Sequence, residues 1–162
     1  MLDSDSDTGL GPHSRNAHSW PETYAARTSA FRKFASRYGQ PLHVLYPGCG
    51  YDRSPSEVFL DVVYVDTNKF HIDLMRQDGL DAREADAHKF IPDRDFNLII
   101  SMEFGLTSDD FRRLLRSGHV ICDYYQSVEL SRNPDFDFVE NLDHPERGFE
   151  ERSLDYLLFR RR

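Results

Sequence analysis

Cysteine is scarce in this sequence: Cys49 and Cys122 are the only two in 162 residues. Two thiols exclude a disulfide-stapled scaffold and suit a reducing compartment. No basic segment followed by an apolar one stands near the start, so no secretory leader is expected and the expected location is cytoplasmic. No apolar run approaches the ~20 residues that span a membrane, so no membrane contact is expected. The histidines are scattered and no Cys/His spacing resembles a zinc site, so no metal is expected. Positive charge is also in deficit. Lys and Arg number 20 against 28 Asp and Glu, giving a net charge of -8. That balance, with a pI near 5.3, argues against a broad nucleic-acid-binding surface. No internal repeat is present.

What remains is enough for one packed domain. Hydrophobic residues make up 39% and aromatic residues 13% of the chain, although the mean hydropathy is -0.64. Residues 1–18 are rich in Asp, Ser, Gly and His and read as a disordered tail. Residues 19–162 read as a single domain that includes an N-terminal helix. Ser19 and Glu22 form a capping pair for that helix. Tyr24, Phe31 and Tyr38 recur along it, with Phe34 and Ala35 on the same stripe and Arg27, Arg32, Lys33 and Arg37 mostly elsewhere. Gly39 and Pro41 end it.

From there strands and helices take turns. His43–Tyr46, Val62–Val65, Ala82–Ala85, Phe96–Ile100 and His119–Cys122 read as strands. Between them, Ser54-Pro55-Ser56-Glu57 repeats the capping signature, and Thr67 precedes a helix with Phe70, Leu74 and Met75. Thr107 starts another helix, with Phe111, Leu114 and Leu115 on one face and Gly118 closing it. A short helical stretch near Val128–Arg132 is followed by two last strands, Phe136–Val139 and Leu154–Phe159. The polar stretch His144–Arg152 joins them as a hairpin, and Arg160, Arg161 and Arg162 read as a solvated end. This pace predicts βαβ crossovers. The fold class is α/β, a Rossmann-like, doubly wound, mostly parallel seven-stranded sheet with a C-terminal antiparallel strand, in three α/β/α layers.

In such a sheet ligands bind beyond the carboxyl ends of the strands, where strand order reverses. The residues there are Gly48-Cys49-Gly50, Asp66-Thr67, Asp86-Ala87, Ser101-Met102-Glu103 and Asp123-Tyr124-Tyr125. Glycines after the first strand let backbone approach a ligand closely. An acid after the second strand can accept bonds from ribose hydroxyls, and one after the third can accept from an adenine amino group. A nucleophilic role for Cys49 is disfavoured, because no histidine base stands near it in sequence.

These motifs, in this order, resemble the class I S-adenosylmethionine-dependent methyltransferases over roughly residues 42–162. Val44-Leu45-Tyr46-Pro47-Gly48-Cys49-Gly50 stands at the family's glycine motif, and Val63-Tyr64-Val65-Asp66 at its second strand. Glu84-Ala85-Asp86-Ala87 stands at the adenine-contacting segment, Phe96–Ser101 at the fourth strand, and Leu114–Ile121 before and in the fifth. The resemblance implies S-adenosyl-L-methionine as cofactor, held by Gly48, Cys49, Gly50, Asp66, Thr67, Asp86, Ala87 and Ser101. It implies a small-molecule methyl acceptor; Glu103, as a general base, and Tyr124 are the catalytic candidates by their place after the fourth and fifth strands. The chain departs from the family at Tyr46, where an acid is usual, at Asp52, where a third glycine is usual, and at Arg116-Ser117, in place of proline-glycine. Those departures keep open a second reading: a methyltransferase-like module that binds a nucleoside or a partner without transfer. A dinucleotide-dependent oxidoreductase is a third reading, disfavoured because Arg53 stands where Gly-x-Gly-x-x-Gly needs its last glycine.

Overall fold

A computed structural model of the chain describes residues 20–147 and 156–162. The expected tail, the Ser19 cap and the middle of the last hairpin lie outside the described residues. The sequence alternates as expected: α1 (Trp20–Tyr38), β1 (Val44–Pro47), β2 (Val62–Asp66), α2 (Lys69–Gln77), β3 (Asp81–Glu84), β4 (Phe96–Ser101), α3 (Ser108–Leu114), β5 (Leu115–Cys122), α4 (Tyr124–Ser131), β6 (Phe136–Asn141) and β7 (Leu157–Arg161). The strands form one seven-stranded sheet in the order β3-β2-β1-β4-β5-β7-β6. Strands β1 to β5 pair in parallel, while β7 runs antiparallel to both β5 and β6.

Side chains alternate across the sheet and so fill two cores. Val44 and Tyr46 face the first core with Tyr64, Leu98 and Ile100, covered by Phe31 and Phe34 of α1 and by Ile72 and Met75 of α2. Leu45 faces the second core with Val63, Val65 and Ile99, covered by Phe111 and Leu114 of α3 and Leu130 of α4. Each large apolar side chain buried this way contributes about 1.5–3 kcal/mol. Both faces of the parallel strands are therefore dry, which is why those strands read as unbroken apolar runs. The charged strand β3 lies at the sheet edge, where exposed Asp81 and Glu84 discourage pairing with another chain.

Several local expectations are corrected. The cap of α2 is Asn68, not Thr67: its side chain accepts the Phe70 and His71 amides. Ser54–Glu57 forms a four-residue 3-10 turn with no side-chain cap, because Arg53 stands at the N-cap position and a guanidinium has no acceptor. Helix α4 begins at Tyr124, capped by Asp123, rather than near Val128. Thr107 does cap α3, in a reciprocal box with Asp110. Leu115 belongs to β5 rather than to that helix, and Gly118 sits inside the strand. At φ 115, a Cβ on Gly118 would lie 2.0 Å from the Asn97 carbonyl oxygen, so only glycine fits the irregular β4–β5 pairing there. Arg160 is exposed, but the other two terminal arginines are not merely solvated. Arg161 lies over the Phe136 ring and bonds the Arg112 carbonyl, and Arg162 pairs with Asp137.

Candidate functional site

The chain runs outward from β1 to β3, then returns to place β4 beside β1. That reversal opens a crevice at the carboxyl ends of the strands, and two cavities lie along it. The smaller, of about 240 Å³, is bounded by Gly48, by Val65-Asp66-Thr67, by Ala85–His88 and by Phe104. The larger, of about 750 Å³, lies beyond β4 and β5 among Glu103, Leu106, Asp123, Tyr124, Tyr125 and Glu129.

The smaller cavity is built by two turns. Pro47 ends β1, and the amide of Gly48 then donates to the Val65 carbonyl at 2.8 Å, tying the turn to β2. Gly48 and Gly50 have φ 62 and 57, the left-handed region that a glycine enters without penalty. The Gly50 amide donates to Asp66 Oδ2 at 2.8 Å, and the Asn68 amide donates to Asp66 Oδ1 at 2.8 Å. These bonds fix the carboxylate at the cavity rim. A carboxylate offers about four acceptor positions, so two bonds leave Asp66 able to accept more. Across the cavity, Asp86 Oδ1 accepts the His88 amide at 3.0 Å, and the Ala87 carbonyl accepts from Arg113 at 3.0 Å.

Of the eight residues expected at a cofactor, Gly48, Asp66, Thr67, Asp86 and Ala87 line this one cavity. Three do not. Gly50 supports Asp66 from behind. Cys49 turns into the first core with its Sγ 3.9 Å from Met75 Sδ, and burial pushes its thiol well above the ordinary range. The Ser101 hydroxyl is buried and donates to Gln126 Oε1 at 3.0 Å. The Gln126 side chain also accepts the Leu106 amide at 2.7 Å and donates to the Leu106 carbonyl at 2.9 Å.

Both catalytic candidates line the larger cavity. Glu103 is exposed at φ 53, its amide donating to Asp123 Oδ2 at 2.7 Å, and Tyr124 opens α4. Two lining residues of the smaller cavity escaped the sequence reading, His88 and Phe104. Their rings stack at 5.4 Å, and His88 Nδ1 lies 2.7 Å from Asp110 Oδ2. The only available signal was their place just after Asp86 and just after the fourth strand.

The departures at Tyr46 and Asp52 prove to be partners. Asp52 is fully buried and accepts from Arg27 at 2.6 Å, from the Tyr46 hydroxyl at 2.7 Å and from the Ser54 amide at 2.9 Å. Burial pushes the Asp52 carboxyl up, but Arg27, Ser54 and Tyr46 outweigh it and hold the carboxyl below its usual range. Burial and the neighbouring Asp52 push the Tyr46 phenol well up, so it stays a donor. Asp52 thus points toward α1, away from both cavities. Arg27, expected off the apolar stripe of α1, is buried on it. It stands four residues before Phe31 and seven before Phe34, and so on their face.

No metal-binding cluster of three His, Cys, Asp or Glu side chains occurs among the described residues. No described helix is long and apolar enough to cross a membrane. No protein-family model and no curated protein matches the chain. Solved structures do. The N-methyltransferase NodS of Bradyrhizobium japonicum WM9, in complex with S-adenosyl-L-homocysteine, superposes with a TM-score of 0.60 at 16% identity, over 93% of this chain and 88% of its own. The plantazolicin methyltransferase BpumL, also with S-adenosylhomocysteine, gives 0.63 at 14% identity over 99% and 94%. Magnesium protoporphyrin IX methyltransferase ChlM of Synechocystis PCC 6803, with bound S-adenosylmethionine, gives 0.60 at 11% identity over 87% and 80%. At such identities the likeness concerns the fold, and the fold of this chain is that of the class I S-adenosylmethionine-dependent methyltransferases.

Proposed function

We propose that the chain is an S-adenosyl-L-methionine-dependent methyltransferase acting on a small-molecule acceptor. The observation that carries this reading is Asp66, held by the Gly50 and Asn68 amides at the rim of a cavity that Gly48 also lines. The lining suits the adenosyl half of the cofactor. Asp66 is positioned to accept from ribose hydroxyls, Asp86 can take an adenine amino group, and Val65, Ala85 and Ala87 give apolar walls. When bound, the cofactor would supply a methyl group on a sulfonium: a nucleophile attacking that carbon in line would form its bond as the S–CH3 bond breaks and the neutral thioether leaves.

The rest is done by the chain. The larger cavity aligns the acceptor, and alignment is most of what this reaction needs. Glu103 takes the proton when the acceptor's nucleophile carries one. Tyr124 and Tyr125 offer ring faces and hydroxyls for orientation. The two free, buried thiols suit a cytoplasmic setting.

A second reading, nucleoside binding without transfer, draws support from the Phe104 ring lying over Gly48. Incubation of the full chain with methyl-labelled cofactor and a small-molecule extract separates the two. The methyltransferase reading predicts a labelled product, lost in Asp66→Ala and reduced roughly 100-fold or more in Glu103→Gln when a proton must leave. Cofactor binding without label in any fraction would transfer the case to the second reading.

A further inference from the structure

One side chain stands between the two cavities. Phe104 lines the smaller one, while its neighbours Glu103 and Gly105 line the larger. Its ring presses on the glycine turn: a Cβ built on Gly48 would lie 2.3 Å from both Cγ and Cδ1 of Phe104. The face of Gly48 that a glycine leaves open is therefore filled by this ring. The smaller cavity, at about 240 Å³, is correspondingly below the ~300 Å³ at which small-molecule sites usually begin. A nucleoside would fill a cavity of that size, so an amino-acid chain attached to it must leave past the lining; Gly48 is the lining residue without a side chain, and the Phe104 ring covers it.

The backbone around Phe104 is built to turn there. On one side, the Glu103 amide is held by Asp123 Oδ2 at 2.7 Å; on the other, the Leu106 amide is held by Gln126 Oε1 at 2.7 Å. Between these anchors lie Phe104, half-buried, and Gly105, exposed with open space where a Cβ would be. Glu103 at φ 53 sets the direction in which the ring leaves the strand. The ring's remaining partners are the second core and the stacked His88, itself placed by Asp110.

We propose that Phe104 is the specificity-determining gate of the cofactor site: its ring must leave Gly48 before a nucleoside bearing an amino-acid chain can bind, and its departure joins the two cavities. The proposal rests on the methyltransferase reading. A nucleoside alone binds with the gate shut. The extended ligand binds only the open form, so its apparent affinity is its intrinsic affinity multiplied by the open fraction. Opening also brings the space above Gly48 into line with Glu103 and Tyr124, so the acceptor meets the methyl group only after the cofactor has entered.

The test is isothermal calorimetry of the full chain with S-adenosylhomocysteine and, separately, with adenosine. Wild type, Phe104→Ala and Phe104→Leu are compared, with urea unfolding to confirm that each variant is folded. The gate predicts that Phe104→Ala binds S-adenosylhomocysteine about 10-fold or more tightly than wild type, with Phe104→Leu between them. Because Phe104 also lines the smaller cavity, adenosine affinity should fall or hold in the two variants, and the gain should be confined to S-adenosylhomocysteine. Weaker or unchanged S-adenosylhomocysteine binding in a folded Phe104→Ala overturns the gate while leaving the cofactor reading intact, because Phe104 is then a fixed wall. An equal gain for adenosine also overturns it, since the ring then merely crowds the nucleoside. Binding of neither ligand by any of the three overturns the cofactor reading, and the gate with it. A second readout is the NMR nuclear Overhauser contact between the stacked His88 and Phe104 rings. Saturating S-adenosylhomocysteine should remove that contact in wild type; its retention in the complex contradicts the gate.

Discussion

Two aspartates flank the same glycine turn and meet opposite fates. Asp52 is fully buried, with Arg27, Tyr46 and the Ser54 amide all directed at it. Asp66 is half-buried, takes two backbone amides among the described residues and stands at a cavity rim. One carboxylate is consumed by the fold, which it ties to α1. The other is positioned by the fold and left with acceptor capacity. Residue type and nearness to the glycine motif do not separate them. The number and charge of the partners do.

The comparison can be broken first at Arg27. Removing it in Arg27→Met leaves Asp52 as a buried charge without its cation, and the expected loss is about 3–5 kcal/mol of unfolding free energy in urea. A loss below about 1 kcal/mol would mean that the pair is marginal to the fold. The same pair predicts a pH dependence. The folded Asp52 carboxyl titrates below its usual range, so its contribution is present above the unfolded pKa of about 3.9 and is lost as pH falls through the lower folded value. Wild-type stability should therefore fall more steeply below pH 4 than that of Asp52→Asn, compared by urea unfolding across that range. Tyr46→Phe removes one charge-assisted bond to Asp52 and should cost about 1.5–3 kcal/mol, with ligand affinity unchanged. The smallest effect concerns the thiols. Burial pushes both Cys49 and Cys122 well above their ordinary range, so a thiol reagent at pH 8 should label neither until the chain unfolds. Rapid labelling of native Cys49 would return it to the site.

The larger outlines were legible because they rest on period and punctuation. Apolar runs such as Val62–Val65 and Leu98–Ile100 read as strands covered on both faces. Their order then located Gly48, Asp66 and Asp86 at the crevice. Local features failed where two residues competed for one job. Thr67 and Asn68 are both fair caps, and only the backbone decides that Asn68 reaches the Phe70 amide. Gly118 reads equally as a helix stop or a close approach within a strand. Arg27 was misplaced because a charge on an apolar stripe normally argues against burial, unless its partner, 25 residues on, is known. Phe104 was illegible for a related reason: nothing in its neighbourhood in sequence shows that its ring meets Gly48.

The division between the two aspartates is tested most directly by Asp66→Ala, with calorimetry against S-adenosylhomocysteine and urea unfolding run on the same preparation. The expected result is an affinity at least about 10-fold weaker than wild type, equivalent to roughly 1.4 kcal/mol, with a loss of unfolding free energy well below that of Arg27→Met, since Asp66 is half-buried and water can take over the bonds to its two amides. Unchanged affinity, or a loss of stability as large as that of Arg27→Met, would place Asp66 in the fold beside Asp52 and contradict the account.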